Sequence, residues 1–391
     1  MVVHGNTMKI PIYALILGFS ASALGKADPP NDKLPLIFKY RCSEELRLSV
    51  IEKNGGSAAS EAAVLQSLRY LKENQNPDGS WTEERPIGMT GLSILCFLGH
   101  GETAQSDEFG VCVLNAIQYL VELAAKNEGK LASDFKDNHW TYEHAIATQA
   151  LAEAYLLCEV GYDEKIPKLR EMVEDCGKFI IRAQHKTGGW DYAYVEGSPR
   201  GGDVSQTSWH LLALASCYQT KLKFGGILMS YKEGVSYIEK QQMPSGAIGY
   251  SSPALHGGTD GTTLSASGLY CAQLIGNPGQ RIVRKAIPYL SKNMKFGWDT
   301  ADSDLYGHFF ASMAIQNHGG KTWQQYHKIV FPQILANQNE DGSFKAVGGG
   351  GKINAVAASF SGTSKFSKIY RSCLCTLILE SYYRRNPLTL E

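Results

Sequence analysis

The sequence predicts an all-α protein, an (α/α)6 toroid of about twelve helices in two concentric layers. Three observations predict it. A short stretch ending on a large apolar residue recurs along the chain. Each copy lies between two helical patterns, the second more apolar than the first. The last helical pattern is as apolar as those in the middle.

The recurring stretch is LKENQNPDGSW (Leu71 to Trp81), IIRAQHKTGGW (Ile180 to Trp190), IEKQQMPSGAI (Ile238 to Ile248) and ILANQNEDGSF (Ile334 to Phe344). Each copy reads apolar, three residues, Gln, three residues, Gly, one residue, then an aromatic or apolar residue. LSKNMKFGW (Leu290 to Trp298) is a shortened copy, and a sixth is expected between Leu123 and Trp140, blurred by a polar insert. Spacings of roughly 45–60 residues lie slightly above those of the longest common helical repeats. The repeat residues are Gln75, Gly79 and Trp81; Gln184, Gly188 and Trp190; and Gln338, Gly342 and Phe344. The Gln is expected to satisfy backbone groups orphaned at a helix end, and the Gly to supply a conformation other residues resist. The aromatic residue is expected to fold back onto the neighbouring helix pair, as structural glue and not as chemistry.

Before each copy runs an amphipathic helix. SEAAVLQSLRYLKENQ places Ala62, Leu65, Leu68 and Leu71 on one stripe. After it runs a more apolar helix, such as EHAIATQALAEAYLLC or DLYGHFFASMAIQ, often opened by Asp, Ser or Thr. Six such pairs make an inner layer buried on both sides and an outer layer with one wet face. An open solenoid needs polar end caps. The apolar last helix, YRSCLCTLILESYY, favours closure into a ring.

The 391 residues carry 38 Lys+Arg and 38 Asp+Glu, so no basic excess points to nucleic acid. Residues 1–27 read as a secretory signal peptide: Lys9, an apolar run from Ile10 to Phe19, then small residues around Ala21-Ser22-Ala23. That predicts a secreted or periplasmic protein with no integral membrane span after signal removal. Residues 28–57 read as an N-terminal extension and residues 58–391 as a single toroid domain. The nine cysteines fall mostly within apolar helices, as buried hydrophobes do, and no spacing matches a zinc site. No metal and no cofactor are predicted, and the oligomeric state is left open.

The four full copies resemble the repeats of squalene and oxidosqualene cyclases, and the helix pairing is similar to that of protein prenyltransferase β-subunits. The likeness spans roughly Glu61 to Tyr383. HAIATQALAEAY and GGWDYAYVEGSPRGGDVSQTSWHLLAL also look like exported bacterial prenyltransferase/squalene-oxidase-repeat proteins. The resemblance implies a central cavity for an isoprenoid or other small apolar or amphipathic ligand, with terpene-cyclase-like acid–base activity. Two departures weigh against the family's chemistries. The cyclase acid Asp-x-Asp-Asp is absent, the nearest text being Asp299 to Asp304, and so is the prenyltransferase zinc motif Asp-x-Cys.

One mouth of such a ring is lined by the starts of the inner helices. Asp203, Asp302, Asp304 and His144 fall there as candidate acids and bases. Trp140, Tyr142, Tyr192, Trp209, Tyr250, Tyr306, His308 and Tyr370 are candidate ligand-binding residues, and Glu143 falls beside them. Asp203 and Asp304 equally suit helix N-caps, and His144 a hydrogen-bonded core position. Two alternatives stand beside the isoprenoid reading. One is a glycan-active (α/α)6 lyase or hydrolase, with paired carboxylates across a cleft. The other is a non-catalytic binding or scaffold protein of the cell envelope, with a filled centre.

Overall fold

The structure is a computed structural model that describes residue 30 and residues 32–194, 201–255, 261–275, 281–348 and 359–384. The signal segment, His256, Asp260 and most of the loop Gly348 to Lys352 lie outside the described residues.

Two short helices, α1 (Leu36–Lys39) and α2 (Glu44–Lys53), precede the ring. Six outer helices follow at alternate places: α3 (Ala58–Glu73), α5 (Gly110–Lys126), α7 (Leu169–Arg182), α9 (Ile227–Lys240), α11 (Arg281–Asn293) and α13 (Gly320–Ala336). Between them run the inner helices: α4 (Pro86–Gly99), α6 (Trp140–Ala154), α8 (Val204–Gln219), α10 (Thr262–Leu274), α12 (Leu305–His318) and α14 (Lys365–Leu379). Each inner helix packs on the next, and α14 packs back on α4. The (α/α)6 ring is therefore closed, as the apolar last helix predicts. The layers differ as expected. Every residue of α4 from Ile87 to Gly99 is buried, whereas α11 buries one stripe of Ile282, Val283, Ala286, Ile287 and Leu290.

The repeat joins neighbouring outer helices. Gln75 Nε2 donates to Gly79 O (3.1 Å) in its own turn and to Cys112 O (2.9 Å) in α5. Gln184 does the same to Gly188 O (2.7 Å) and Ser230 O (2.8 Å) in α9. Gln242 reaches Gly246 O and Ile282 O of α11. Gln338 reaches Gly342 O (3.1 Å) and Ala63 O (2.8 Å) of α3, so the last copy binds the first helix of the ring. The Gln thus serves the next outer helix as well as its own turn, where the sequence suggested only a local partner. The four glycines have φ between +84° and +96°. A Cβ on Gly79 would lie 2.4 Å from Asn115 O, and on Gly342 2.2 Å from Gln66 O. The glycine therefore provides both the left-handed turn and the close approach of the turn to the next helix.

The aromatic residue ties the turn back. Trp81 Nε1 donates to Leu71 O (2.7 Å) and Trp190 Nε1 to Ile180 O (2.9 Å), and both rings are fully buried. The shortened copy has no Gln of its own. Gln333 of α13 supplies the link from the other side, accepting from Trp298 N–H (2.9 Å). The blurred sixth copy ends earlier than Trp140. Its glycine is Gly129 (φ +79°), pressed against Asp175 of α7, and Leu131 takes the aromatic's place.

The residues read as an N-terminal extension close the opposite mouth. Phe38 and Arg41 lie against the C-terminal ends of α6, α8 and α10, at Glu153, Leu212 and Leu274. Arg41 Nη1 bonds Glu153 Oε2 (2.6 Å), and Arg384 Nη1 approaches the same oxygen (3.8 Å) while its Nε bonds Glu380 (3.0 Å). Burial is the main influence on Glu380 and raises its pKa to about 7 despite Arg384. All nine cysteines are unpaired, eight of them buried.

Two substitutions test the repeat. Trp190→Ala should cost about 3–5 kcal/mol, as a large-to-small change in a packed core. Gly342→Ala should cost about 1–3 kcal/mol through a strained φ, plus a clash with a backbone carbonyl. Gly225→Ala is the control, because Gly225 also has positive φ (+59°) but nothing within 4 Å of a Cβ. Equal melting temperatures for the two glycine variants would contradict the close-approach role.

Candidate functional site

The N-terminal ends of the inner helices face a cavity of about 250 Å³. Gly88 and Met89 of α4, Tyr142, Glu143 and Ile146 of α6, Ser205 and Trp209 of α8, Tyr306 of α12 and Tyr370 of α14 line it. Tyr192 adds a further wall, and Glu84, Arg85 and His139 lie at the rim. Its size falls just under the ~300–1,000 Å³ common for drug-sized ligands.

Hydroxyls run through the wall as a chain. Tyr250 donates to Tyr192 (3.1 Å), whose hydroxyl lies 3.3 Å from that of Tyr142. Tyr142 donates to Ser205 Oγ (2.9 Å), which is 3.2 Å from Tyr306, and Tyr306 accepts from Trp209 Nε1 (2.9 Å). Burial, reinforced by Asp203, raises the pKa of Tyr142 well above the ordinary phenol value, so its hydroxyl is neutral. Behind it, Trp209 stacks on Phe309 with centroids 5.6 Å apart.

Five of the eight ligand-binding candidates line this cavity: Tyr142, Tyr192, Trp209, Tyr306 and Tyr370. Tyr250 reaches it through its bond to Tyr192. Trp140 does not line it. Its ring packs edge-on against Tyr194 (4.8 Å) and Phe135 (5.1 Å) in a separate outer groove. His308 is also displaced, being buried with Nε2 on Lys295 O and Nδ1 on the Tyr326 hydroxyl, and burial lowers its pKa to about 4.

None of the four acid–base candidates lines the cavity. Asp203 caps α8, accepting from Gln206 N–H (2.8 Å), and is fully buried. Asp304 caps α12, accepting from Gly307 N–H (3.1 Å) and the Thr263 hydroxyl. Asp302 is exposed in the turn before α12. His144 accepts from Leu131 N–H (3.1 Å) through Nδ1. Thr207 and Ser265 do the same for Trp190 and Ile248, so His144 belongs to the sixth copy of the repeat. Burial, reinforced by His210, lowers its pKa to about 3, which keeps it neutral.

The buried carboxyl that lines the cavity is Glu143. Its Oε2 accepts from Ile87 N–H (3.1 Å), Gly88 N–H (3.1 Å) and Ser133 Oγ (2.6 Å). The first two are free N–H groups at the start of α4, so Glu143 caps a neighbouring helix and not its own. Burial is the largest influence and raises its pKa above the usual carboxylate range, against these three donors. With Oε2 saturated by donors, a proton on this carboxyl belongs on Oε1. Composition and periodicity hide this role, because it depends on α4 and α6 meeting; the sole signal was position, in the first turn of an inner helix. At the rim, Asp137 Oδ1 bonds His139 Nδ1 (2.9 Å) and its Oδ2 bonds Arg85 (2.8 Å). Among the described residues, no group of three or more His, Cys, Asp or Glu is placed to hold a metal ion. None of their helices is long and apolar enough to cross a membrane.

No family model and no curated protein sequence matches the chain. Solved structures do. A type II terpene cyclase, MstE from Scytonema, in complex with geranylgeranyl dihydroxybenzoate, is 11% identical with a TM-score of 0.51, covering 83% of this chain and 98% of that one. The GH76A α-1,6-mannanase of Salegentibacter sp. HEL1_6, bound to α-1,6-mannotriose as an inactive variant, is 9% identical with a TM-score of 0.57, covering 83% and 99%. A glycosidase variant in complex with glucose is 10% identical with a TM-score of 0.53, covering 84% and 98%. At these identities the likeness is one of fold: all three share the toroid.

The raised pKa of Glu143 sets a pH dependence of stability. A carboxyl whose folded pKa exceeds its unfolded value adds stability below the unfolded value, about 4.3. That contribution is lost as pH rises through the folded value. Glu143→Gln keeps an acceptor for Ile87, Gly88 and Ser133 but does not ionise. Its melting temperature relative to wild type should therefore rise between about pH 4 and neutrality. A constant difference across that range would contradict the assignment.

Proposed function

We propose that this toroid binds a small apolar or amphipathic molecule of the isoprenoid class in the cavity at its N-terminal mouth, and that Glu143 is the acid that protonates it. The observation that carries this reading is a buried carboxyl whose Oε1 is clear of the three bonds made to Oε2, in a cavity lined mainly by aromatic rings, apolar side chains and hydroxyls, with Glu84, Arg85 and His139 at its rim. Aromatic faces attract a cation through the ring quadrupole, and Trp209, Tyr142 and Tyr370 provide such rings around the acid. A desolvated carboxyl with a raised pKa is suited to general-acid work near neutral pH. The volume suits a short prenyl chain or the end group of a longer one. The absence of Asp-x-Asp-Asp is consistent with an acid delivered from another helix.

One observation favours the glycan reading as well. Glu84 lines the same cavity from its exposed rim, so a second carboxyl stands at the opening. The open cavity itself supports ligand binding over a purely structural role.

Mass spectrometry of molecules extracted from the purified protein tests the proposal, followed by native mass spectrometry with added farnesol. One bound prenyl molecule per chain is expected, with Tyr192→Ala weakening retention several-fold at little cost in melting temperature. Repeated recovery of no lipid and no retention of farnesol, alongside binding of mannose oligosaccharides, would replace this reading with the glycan one.

A further inference from the structure

We infer that His139 is the proton acceptor that partners Glu143, with Asp137 and Arg85 as its positioning residues. The inference rests on the reading of Glu143 as an acid. It answers a question that reading leaves open, namely which group takes a proton off the cation that Glu143 creates.

His139 is the residue immediately before α6. Glu143 N–H bonds His139 O (3.4 Å), so the two side chains stand one helical turn apart on the same face. Both line the cavity. Asp137 Oδ1 takes a hydrogen bond from His139 N–H (2.9 Å) and another from ring Nδ1 (2.9 Å). With the Nδ1 proton held by the carboxylate, the lone pair is on Nε2. Arg85 holds the other oxygen of Asp137 at 2.8 Å. Burial pushes the Asp137 carboxyl up, but the two bonds from His139 and the charge of Arg85 outweigh it, leaving it below the usual range and ionised. The ring lies edge-on to Tyr192 (centroids 5.4 Å) and stacked with Tyr142 (6.3 Å), a setting that suits an imidazolium. Its side chain is 47% exposed, so the proton it collects has a route to water.

The step balances without an oxidant or reductant. The Glu143 Oε1–H proton bonds one carbon of a C=C, whose π electrons form that C–H bond and leave a cation at the other carbon. His139 Nε2 then removes a proton from a carbon next to the cation. The electrons of that C–H bond form a new C=C. The imidazolium proton returns to the Glu143 carboxylate, directly or through water, and the ligand leaves isomerised or cyclised.

The test incubates wild type, Glu143→Gln, His139→Gln and Asp137→Asn with geraniol or farnesol in deuterated water and reads deuterium uptake and products. Wild type should incorporate deuterium and release alkenes, and Glu143→Gln should incorporate none. His139→Gln should still incorporate deuterium, but water should quench the cation. Its alkene-to-tertiary-alcohol ratio should fall roughly tenfold or more, with Asp137→Asn between the two. Unchanged product ratios in His139→Gln would overturn the inference and leave the acid in place. A wild type that takes up no deuterium from either alcohol would overturn the acid, and this partner with it.

Discussion

The ring depends on one geometry repeated around it, a left-handed glycine turn pressed against the backbone of the next outer helix. A side-chain amide joins a carbonyl of the turn to a carbonyl one helix further on. Each junction gains only about 1 kcal/mol per neutral hydrogen bond. Its larger effect is to fix spacing, since no Cβ fits between the turn and the helix it touches at Gly79 or Gly342. Inner helices packed on both sides tolerate little drift in that spacing. The copy at Gln338 matters most, because it binds Ala63 and turns a row of helix pairs into a circle.

The same circle explains the chemistry of the mouth. Inner helices run parallel, so their partly positive N-termini gather at one end. Carboxylates answer them: Asp203 at α8, Asp304 at α12 and Glu143 at α4. The first two cap their own helices and do not line the cavity. Glu143 comes from a neighbour and keeps one oxygen clear of those bonds. A residue of the same type thus acquires a different role by reaching across a helix–helix junction.

That difference marks how much was legible in the sequence. The helix pairing and the closure appear in the structure as read, and so do the four full copies of the repeat, down to the indole of Trp190; the sixth copy ends at Leu131 instead of Trp140, and each Gln also reaches the next outer helix. Tyr142, Tyr192, Trp209, Tyr306 and Tyr370 were legible because the starts of the inner helices and the loops before them line one mouth. His144 misled because the sixth copy is blurred, and only the fold shows that its imidazole does what Thr207 and Ser265 do elsewhere. Asp203 and Asp304 carried two readings, of which the sequence already favoured capping, and both cap their helices. Trp140 and His308 face away from the cavity, a matter of helix rotation by a fraction of a turn.

The buried ion cluster at the opposite mouth has a consequence for how the chain is made. Glu153, in the middle of the sequence, is shared by Arg41 near one end and Arg384 near the other. A ribosome makes Arg384 long after Glu153, and until then Glu153 has at most one of its two cations. Half-made rings present unfinished apolar edges, the kind of surface that draws chains into aggregates. The circle is therefore completed late, when α14 docks on α4. Replacing Arg384 would leave Glu153 with Arg41 alone and Glu380 without its ion pair, at the mouth away from the cavity.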